Sequence, residues 1–494
     1  MSDRASVASG SIEAGTSSGT WIVLLLIVLG GASLRLAFLA EPMRQDEADT
    51  VMRFALSPAR VILVDTAIPN NHILHSLLVK ASIVAFGMGE WAVRLPALVA
   101  GLLAIPLTFQ LGRSMHSAPT GLLGAGLVAA SPSMVLFSTN ARGYTIVVSA
   151  FLAALLAARS AIAGPNIWRW AAFVALVTVA MAVTPSALYA TGVACLWTLL
   201  QARATQDTAT LRTAGAACVA AAVLSALAYL PAAAVSGPGT IVGNEFVRAQ
   251  SLAEFLHSLP VFGRELLTGW ITGWPAIGVG IVAILLGVAI TRPREGSVSL
   301  AALAVVWSLL LMFLMRRAPF PRVLLFLVPL LAITAGVGAT ALIGRLRHWR
   351  TVYSIAVVPL GAAALLGTGV ASSRSPALSR ETNRFSAGPA IARYLQSTLA
   401  PDDLIVARWS AVGPVDYYLA REGVRARFAA VGDSVTGRLF VIATHALNET
   451  MALVLEHRRL AGVDTSRVTE ISGFPEASVW LVERPARPDP LPRR

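Results

Sequence analysis

Eleven apolar runs separated by short polar breaks fill the first three quarters of the chain. They lie at about 21–40, 92–112, 119–138, 145–161, 167–184, 187–201, 213–231, 270–291, 299–315, 322–343 and 351–371. Most approach the ~20 residues with which an α-helix crosses a hydrocarbon core. Spanning helices are therefore predicted, since in lipid every backbone polar group has to be satisfied within the structure. Two longer polar intervals interrupt the pattern, 41–91 and 232–269. Within the first, the segment His72–Gly87 carries polar groups at 71, 72, 75, 76 and 80, and its apolar part is too short to cross. It predicts an interfacial helix. After Ser372 the period changes. Leu404–Arg408, Leu439–Thr444 and Ser478–Val482 predict strands, and Pro389–Leu399 and Glu449–Leu460 predict helices, Pro389 suiting a first helical position. The expected organisation is a disordered Ser/Gly-rich segment over 1–20, a helical membrane domain over 21–371 and a small soluble α/β domain over 372–494.

Composition agrees with a membrane protein. The chain is 56% hydrophobic and 13% charged, against about 25% charged in soluble domains. Its net charge of +13 is scattered between apolar runs rather than gathered in one patch, which argues against nucleic acid as a partner. The basic residues instead set an orientation. Arg113, Arg159 with Arg169, Arg203 with Arg212, Arg292 with Arg294, and the turn Arg345–Arg350 fall on alternate sides of successive runs. By the positive-inside rule these turns are cytoplasmic. The N-terminus is then inside, while 41–91, 232–269 and the C-terminal domain are extracytoplasmic. The expected location is the plasma (inner) membrane, with the run 21–40, interrupted by Arg35, as an uncleaved signal-anchor. The two cysteines, Cys195 and Cys218, lie in apolar runs and imply no disulfide framework.

Candidate chemistry gathers at predicted outer turns. Arg44-Gln45-Asp46-Glu47-Ala48-Asp49 places acids at a membrane surface, where anionic headgroups repel them. Asp46 and Glu47 are candidates for a carboxylate base or a cation ligand; as plain structure, they would be solvated acids with Asp46 capping a helix. Arg316, Arg317 and Arg322 surround a Pro-rich turn and suit a phosphate. In Asn140-Ala141-Arg142-Gly143-Tyr144, Arg142 suits a phosphate or a carboxylate partner and Tyr144 a sugar ring; snorkelling and interfacial anchoring are the alternatives. His72 and His75, at i and i+3, are candidates for substrate contact, a metal or plain packing. Glu90-Trp91-Ala92-Val93-Arg94-Leu95-Pro96 reads as a helix entry.

The order of these motifs resembles the GT-C membrane glycosyltransferases. The resemblance rests on the Asp-Glu pair after the first run, the helix ending in Phe86-Gly87, and Glu90–Pro96. It extends to Ser131-Pro132-Ser133 with Ser138–Tyr144 and to Arg322–Pro329, within roughly 21–345. The branch that it is most similar to is that of the protein O-mannosyltransferases and lipid A aminoarabinose transferases. The resemblance implies a polyprenyl-phosphate-linked sugar donor, a lipid, glycan or protein acceptor, inversion at the anomeric carbon, and Asp46 as the acidic catalytic residue. It leaves a divalent metal open, because Asn70-Asn71-His72-Ile73-Leu74 departs from the His/Lys-Pro-Pro-Leu-like run of many relatives. A transporter or flippase of a lipid-linked substrate, which would bury charges mid-span, is the alternative from another class. A scaffold that binds a partner through its outer domain is a third.

Overall fold

A computed structural model describes residues 18–67, 70–164, 166–242, 248–292, 296–343, 353–433, 435, 437–460, 463, 465–471 and 473–483. The chain forms two compact units. One comprises 1–39, 72–75 and 96–377; the other comprises 40–71, 76–95 and 378–494. The first seventeen residues, Arg294 and the turn Arg345–Arg350 lie outside the described residues.

Among the described residues, seven helices are long and apolar enough to cross a membrane: Ser18–Leu36, Glu90–Met115, Tyr144–Ala163, Thr208–Ser236, Gly296–Met315, Pro321–Ile343 and Ile355–Ser373. Two bent pairs, Ala118–Ala129 with Pro132–Ser138 and Leu252–Ile271 with Ala276–Ile290, raise the number to nine if each pair is one span. Shorter helices, Ile167–Val183 and Leu188–Ala204, cover the two remaining predicted runs. By length and composition this is a multi-pass membrane protein. The interval 232–269 is more regular than its polarity suggested. It holds most of the 20-residue helix Leu252–Ile271, started by a capping box in which Ser251 and Glu254 exchange hydrogen bonds.

Close helix approach organises the membrane unit. A Cβ on Gly336 would lie 2.6 Å from the Thr120 carbonyl oxygen, and one on Gly338 would overlap the Leu285 carbonyl. Small residues thus bring Pro321–Ile343 against its neighbours, as helix packing in lipid favours.

The 63° break after Ala129 also has a visible cause. Pro132 cannot continue the helix, so the last carbonyls of Ala118–Ala129 lack their intrahelical partners. Arg35, fully buried, donates to the carbonyls of Ala129 (2.9 Å) and Gly31 (2.9 Å) and to Ser138 Oγ (3.0 Å). Trp274 Nε1 donates to the Ala130 carbonyl at 2.8 Å. A guanidinium at a helix C-terminus is favourable, so the charge that interrupts the first apolar run is an internal cap.

In the second unit a four-stranded sheet has the order β1-β2-β4-β3, with β1 Leu404–Ala407, β2 Leu439–Thr444, β3 Val468–Ile471 and β4 Ala477–Val482. β1 and β2 are parallel, while β4 pairs antiparallel with both β2 and β3. The parallel strands are buried along their whole length, as covered parallel strands are. Helix Trp409–Arg421 follows β1 in the crossover to β2. Sequence pattern missed β3, whose Val-Thr-Glu-Ile is short and partly exposed at the sheet edge. The helices Gly388–Thr398 and Met451–Arg458 stand where helices were expected.

Candidate functional site

The acidic stretch folds as helix Gln45–Asp49, continued by a π turn over Thr50–Ala55. Its acids are not solvated: Asp46 is 4% exposed, Glu47 0% and Asp49 4%. Arg44 rather than Asp46 occupies the cap position, and its N–H donates to Glu47 Oε2 at 3.1 Å. Glu47 also meets Arg94 in a fork, with Nε to Oε1 at 2.8 Å and Nη2 to Oε2 at 2.7 Å. Arg94 spends further donors on the carbonyls of Glu41 (2.7 Å) and Pro42 (3.2 Å). Glu47 therefore holds the loop, and the helix entry at Glu90–Pro96 supplies its partner.

Asp46 lies one residue away in a different setting. Its Oδ1 accepts from Asn383 Nδ2 at 3.1 Å, and its carbonyl accepts from Asn70 Nδ2 at 3.0 Å. On the same helix Asp49 accepts from Arg53 Nε and from Trp409 Nε1, each at 3.2 Å. Burial raises the Asp49 pKa, against the opposing pull of Arg53. Sequence reasoning missed Asn383. It is 337 residues from Asp46, with nothing in its local pattern to single it out.

A second cluster belongs to the membrane unit. Gly143 N–H donates to His72 Nδ1 at 3.1 Å, and Arg142 Nη2 lies 3.1 Å from His72 Nε2. A neutral imidazole offers one acceptor lone pair, so His72 satisfies only one of these two donors. Arg322 Nε donates to Tyr144 Oη at 3.0 Å, and its guanidinium stacks 4.1 Å from the Phe320 ring centroid. The Tyr144 ring meets His72 edge-on at 4.9 Å and Phe137 at 5.3 Å. Arg142 and Tyr144 are buried, and Arg322 is half-buried. Of the three arginines around the Pro-rich turn, only Arg322 is bonded to Tyr144. Arg316 is exposed with φ +46° and Arg317 is half-buried.

Burial, reinforced by Arg142, lowers the pKa of both histidines, that of His75 to about 3. Neither ring nitrogen of His75 has a hydrogen-bond partner among the described residues. The folded state thus refuses a proton that an unfolded His accepts below about 6.5. Stability is expected to be fully present above pH 6.5 and to fall by about 1.4 kcal/mol per pH unit for such a group as pH drops toward 3. Unfolding of the detergent-solubilised protein between pH 7 and 5 measures this. His75→Phe is expected to flatten its share of the slope, and an unchanged slope would show that the imidazole is protonated in the fold.

Residues 70–230 match the family model of dolichyl-phosphate-mannose-protein mannosyltransferase. The crystal structure of ArnT from Cupriavidus metallidurans in the apo state superposes with a TM-score of 0.62 at 15% identity, covering 94% of this chain and 98% of that one. ArnT bound to undecaprenyl phosphate gives 0.60 at 15% identity over the same shares. The chain has the GT-C glycosyltransferase fold. The archaeal oligosaccharyltransferase AglB from Archaeoglobus fulgidus, in complex with an inhibitory peptide and a dolichol-phosphate, matches at a TM-score of 0.51 and 11% identity, over 85% of this chain and 69% of that one. No curated protein sequence matches.

On this GT-C fold the family match takes in His72, His75, Arg142 and Tyr144, while Asp46, Glu47 and Arg322 lie outside it. Among the described residues no three His, Cys, Asp or Glu side chains are grouped to hold a metal ion. The chemistry at the paired histidines agrees with this. His72 faces two donors, and the Arg142 guanidinium beside it repels a cation.

Proposed function

We propose that this protein is a membrane glycosyltransferase that moves a sugar from a polyprenyl-phosphate donor to an envelope lipid, glycan or protein acceptor, with inversion at the anomeric carbon. The observation that carries the reading is the Arg142–His72–Tyr144–Arg322 cluster on a GT-C fold. Two guanidiniums converge on His72 and Tyr144, and phosphate oxygens are the acceptors that Arg suits best. The fold's relatives bear on the donor, since the ArnT and AglB structures hold undecaprenyl phosphate and dolichol-phosphate.

In the proposed reaction Asp46 takes a proton from the acceptor hydroxyl or amine as that atom attacks the anomeric carbon. The bond from this carbon to the phosphate oxygen breaks on the opposite face, which inverts the centre. Arg142 and Arg322 stabilise the charge left on the departing polyprenyl phosphate. Glu47, paired with Arg94, positions the loop. The N-terminus is assigned to the cytoplasm, and the loop 41–91 and the C-terminal domain to the extracytoplasmic side.

Membranes containing the protein, given radiolabelled polyprenyl-phosphate sugars, are expected to transfer label into a lipid, glycan or protein fraction. Absence of transfer across a broad donor panel, with lipid-linked sugar nonetheless changing leaflet, would replace this reading by the transporter. Arg142→Ala and Arg322→Ala should each lower kcat/KM for the donor by about 10-fold to 100-fold, the loss of one charged hydrogen bond. If both leave it unchanged, the phosphate assignment is wrong.

A further inference from the structure

We propose that the C-terminal domain is part of the catalytic machinery, with Asn383 as the residue that positions the Asp46 carboxylate. The inference rests on the reading of Asp46 as the base.

Two independent sets of contacts carry it. The first is the turn that opens the domain. Thr382 and Asn383 adopt left-handed backbones, φ +69° and +56°. That geometry turns their carbonyls onto the start of helix Gln45–Asp49. The Asn383 carbonyl accepts from Gln45 N–H at 3.1 Å and that of Thr382 from Asp46 N–H at 3.5 Å. Arg44 Nη1 donates to the carbonyls of Ser379 (2.7 Å) and Glu381 (2.9 Å). Into this frame Asn383 extends its amide, and Nδ2 donates to Asp46 Oδ1. An amide N–H held on one oxygen restrains the rotation of the carboxylate, and with it the direction of the other oxygen.

The second set is a stripe along helix Trp409–Arg421. Trp409 Nε1 donates to Asp49 Oδ2, and Gly413 N–H to Gln45 Oε1 at 3.0 Å. Tyr417 Oη donates to the Met88 carbonyl, and Arg421 Nη1 to Glu90 Oε1 at 3.0 Å. Residues 409, 413, 417 and 421 recur at i+4 and share one face of the helix. Beside them, Tyr418 Oη accepts from Met43 N–H at 2.9 Å. Every partner belongs to the segment 43–90, which carries the acids. A Cβ on Gly413 would fall 2.8 Å from Gln45 Oε1, so a larger residue there would displace the Gln45 amide.

Asn383→Gly is the clean deletion, because glycine keeps the left-handed backbone that alanine would strain. Asn383→Asp keeps shape and backbone preference but sets a carboxylate against Asp46. The other charged groups around this helix (Arg44, Arg53, Asp49, the Glu47–Arg94 pair, Glu381 and Arg384) are the same in both variants. Transfer by each is compared with the parent and with Asp46→Asn, at equal expression and with thermal unfolding alongside.

For Asn383→Gly the expected result is a loss of about tenfold or more in kcat, with donor KM within about twofold. The acid limb of its pH–rate profile should move upward, as it does when a carboxylate loses a donor. Asn383→Asp should move the limb further, since neighbouring carboxylates resist ionising together. Parent-like kcat and pH profile in both variants, with Asp46→Asn inactive, would overturn this inference alone. Full activity in Asp46→Asn would instead overturn the reading of Asp46 as the base, and this inference with it.

Discussion

Replacing Asp46 by asparagine is expected to lower sugar transfer by about 10²-fold to 10⁴-fold, the range for loss of a general base. The substitution is nearly isosteric. An asparagine oxygen can still accept from Asn383 Nδ2, and the main-chain bonds to Asn70 and Thr50 do not involve the side chain. What disappears is the capacity to take a proton. The loss should therefore fall on kcat, with donor KM and the thermal unfolding midpoint close to those of the parent. Single-turnover transfer in membranes, with the expression level matched, measures it. Transfer at the parent rate would remove Asp46 from the mechanism and turn attention to Asp49, whose raised pKa also suits proton transfer.

The second large effect is expected at Arg94, and it is one of stability. Arg94 and Glu47 are both buried and meet in a two-pronged ion pair. Arg94→Met removes the two guanidinium hydrogen bonds from the buried Glu47 carboxylate, at an expected cost of about 3–5 kcal/mol. It also leaves the carbonyls of Glu41 and Pro42 without their donor. Arg94→Met with Glu47→Leu removes both charges, and buried pairs replaced by apolar groups often recover most of the loss. Recovery here should be partial, since those carbonyls lose the Arg94 donors and the Arg44 N–H loses Glu47. Unfolding in detergent compares the single and double variants. If Arg94→Met unfolds like the parent, Glu47 is satisfied by other groups and its role in holding the loop is lost.

Asp46 and Glu47 stood out as acids after an apolar run, and the resemblance of the surrounding motifs to GT-C enzymes gave Asp46 its proposed role. Their division of labour was not legible. Adjacent residues on a helix point about 100° apart, and which one meets an arginine depends on the chain that packs against each. The arginines at 142 and 322 were both named as phosphate candidates, but their shared contact with Tyr144 joins positions 178 residues apart. Arg316 and Arg317 carried the same sequence signal as Arg322, and only the course of the turn separates them.

The sequence by itself determined the class of the molecule. Each expected span corresponds to one or more apolar helices, because backbone satisfaction in lipid leaves few alternatives for ~20 apolar residues. It also determined the α/β character of the C-terminal domain through its change of period. The tertiary structure decided what the polar residues are for. It made Arg35 a cap for a broken helix, made Glu47 a strut, and brought Asn383 to the carboxylate of Asp46. Hydrophobic periodicity is a local property and survives in the sequence. A hydrogen bond between side chains hundreds of residues apart is a property of packing, and leaves no local trace.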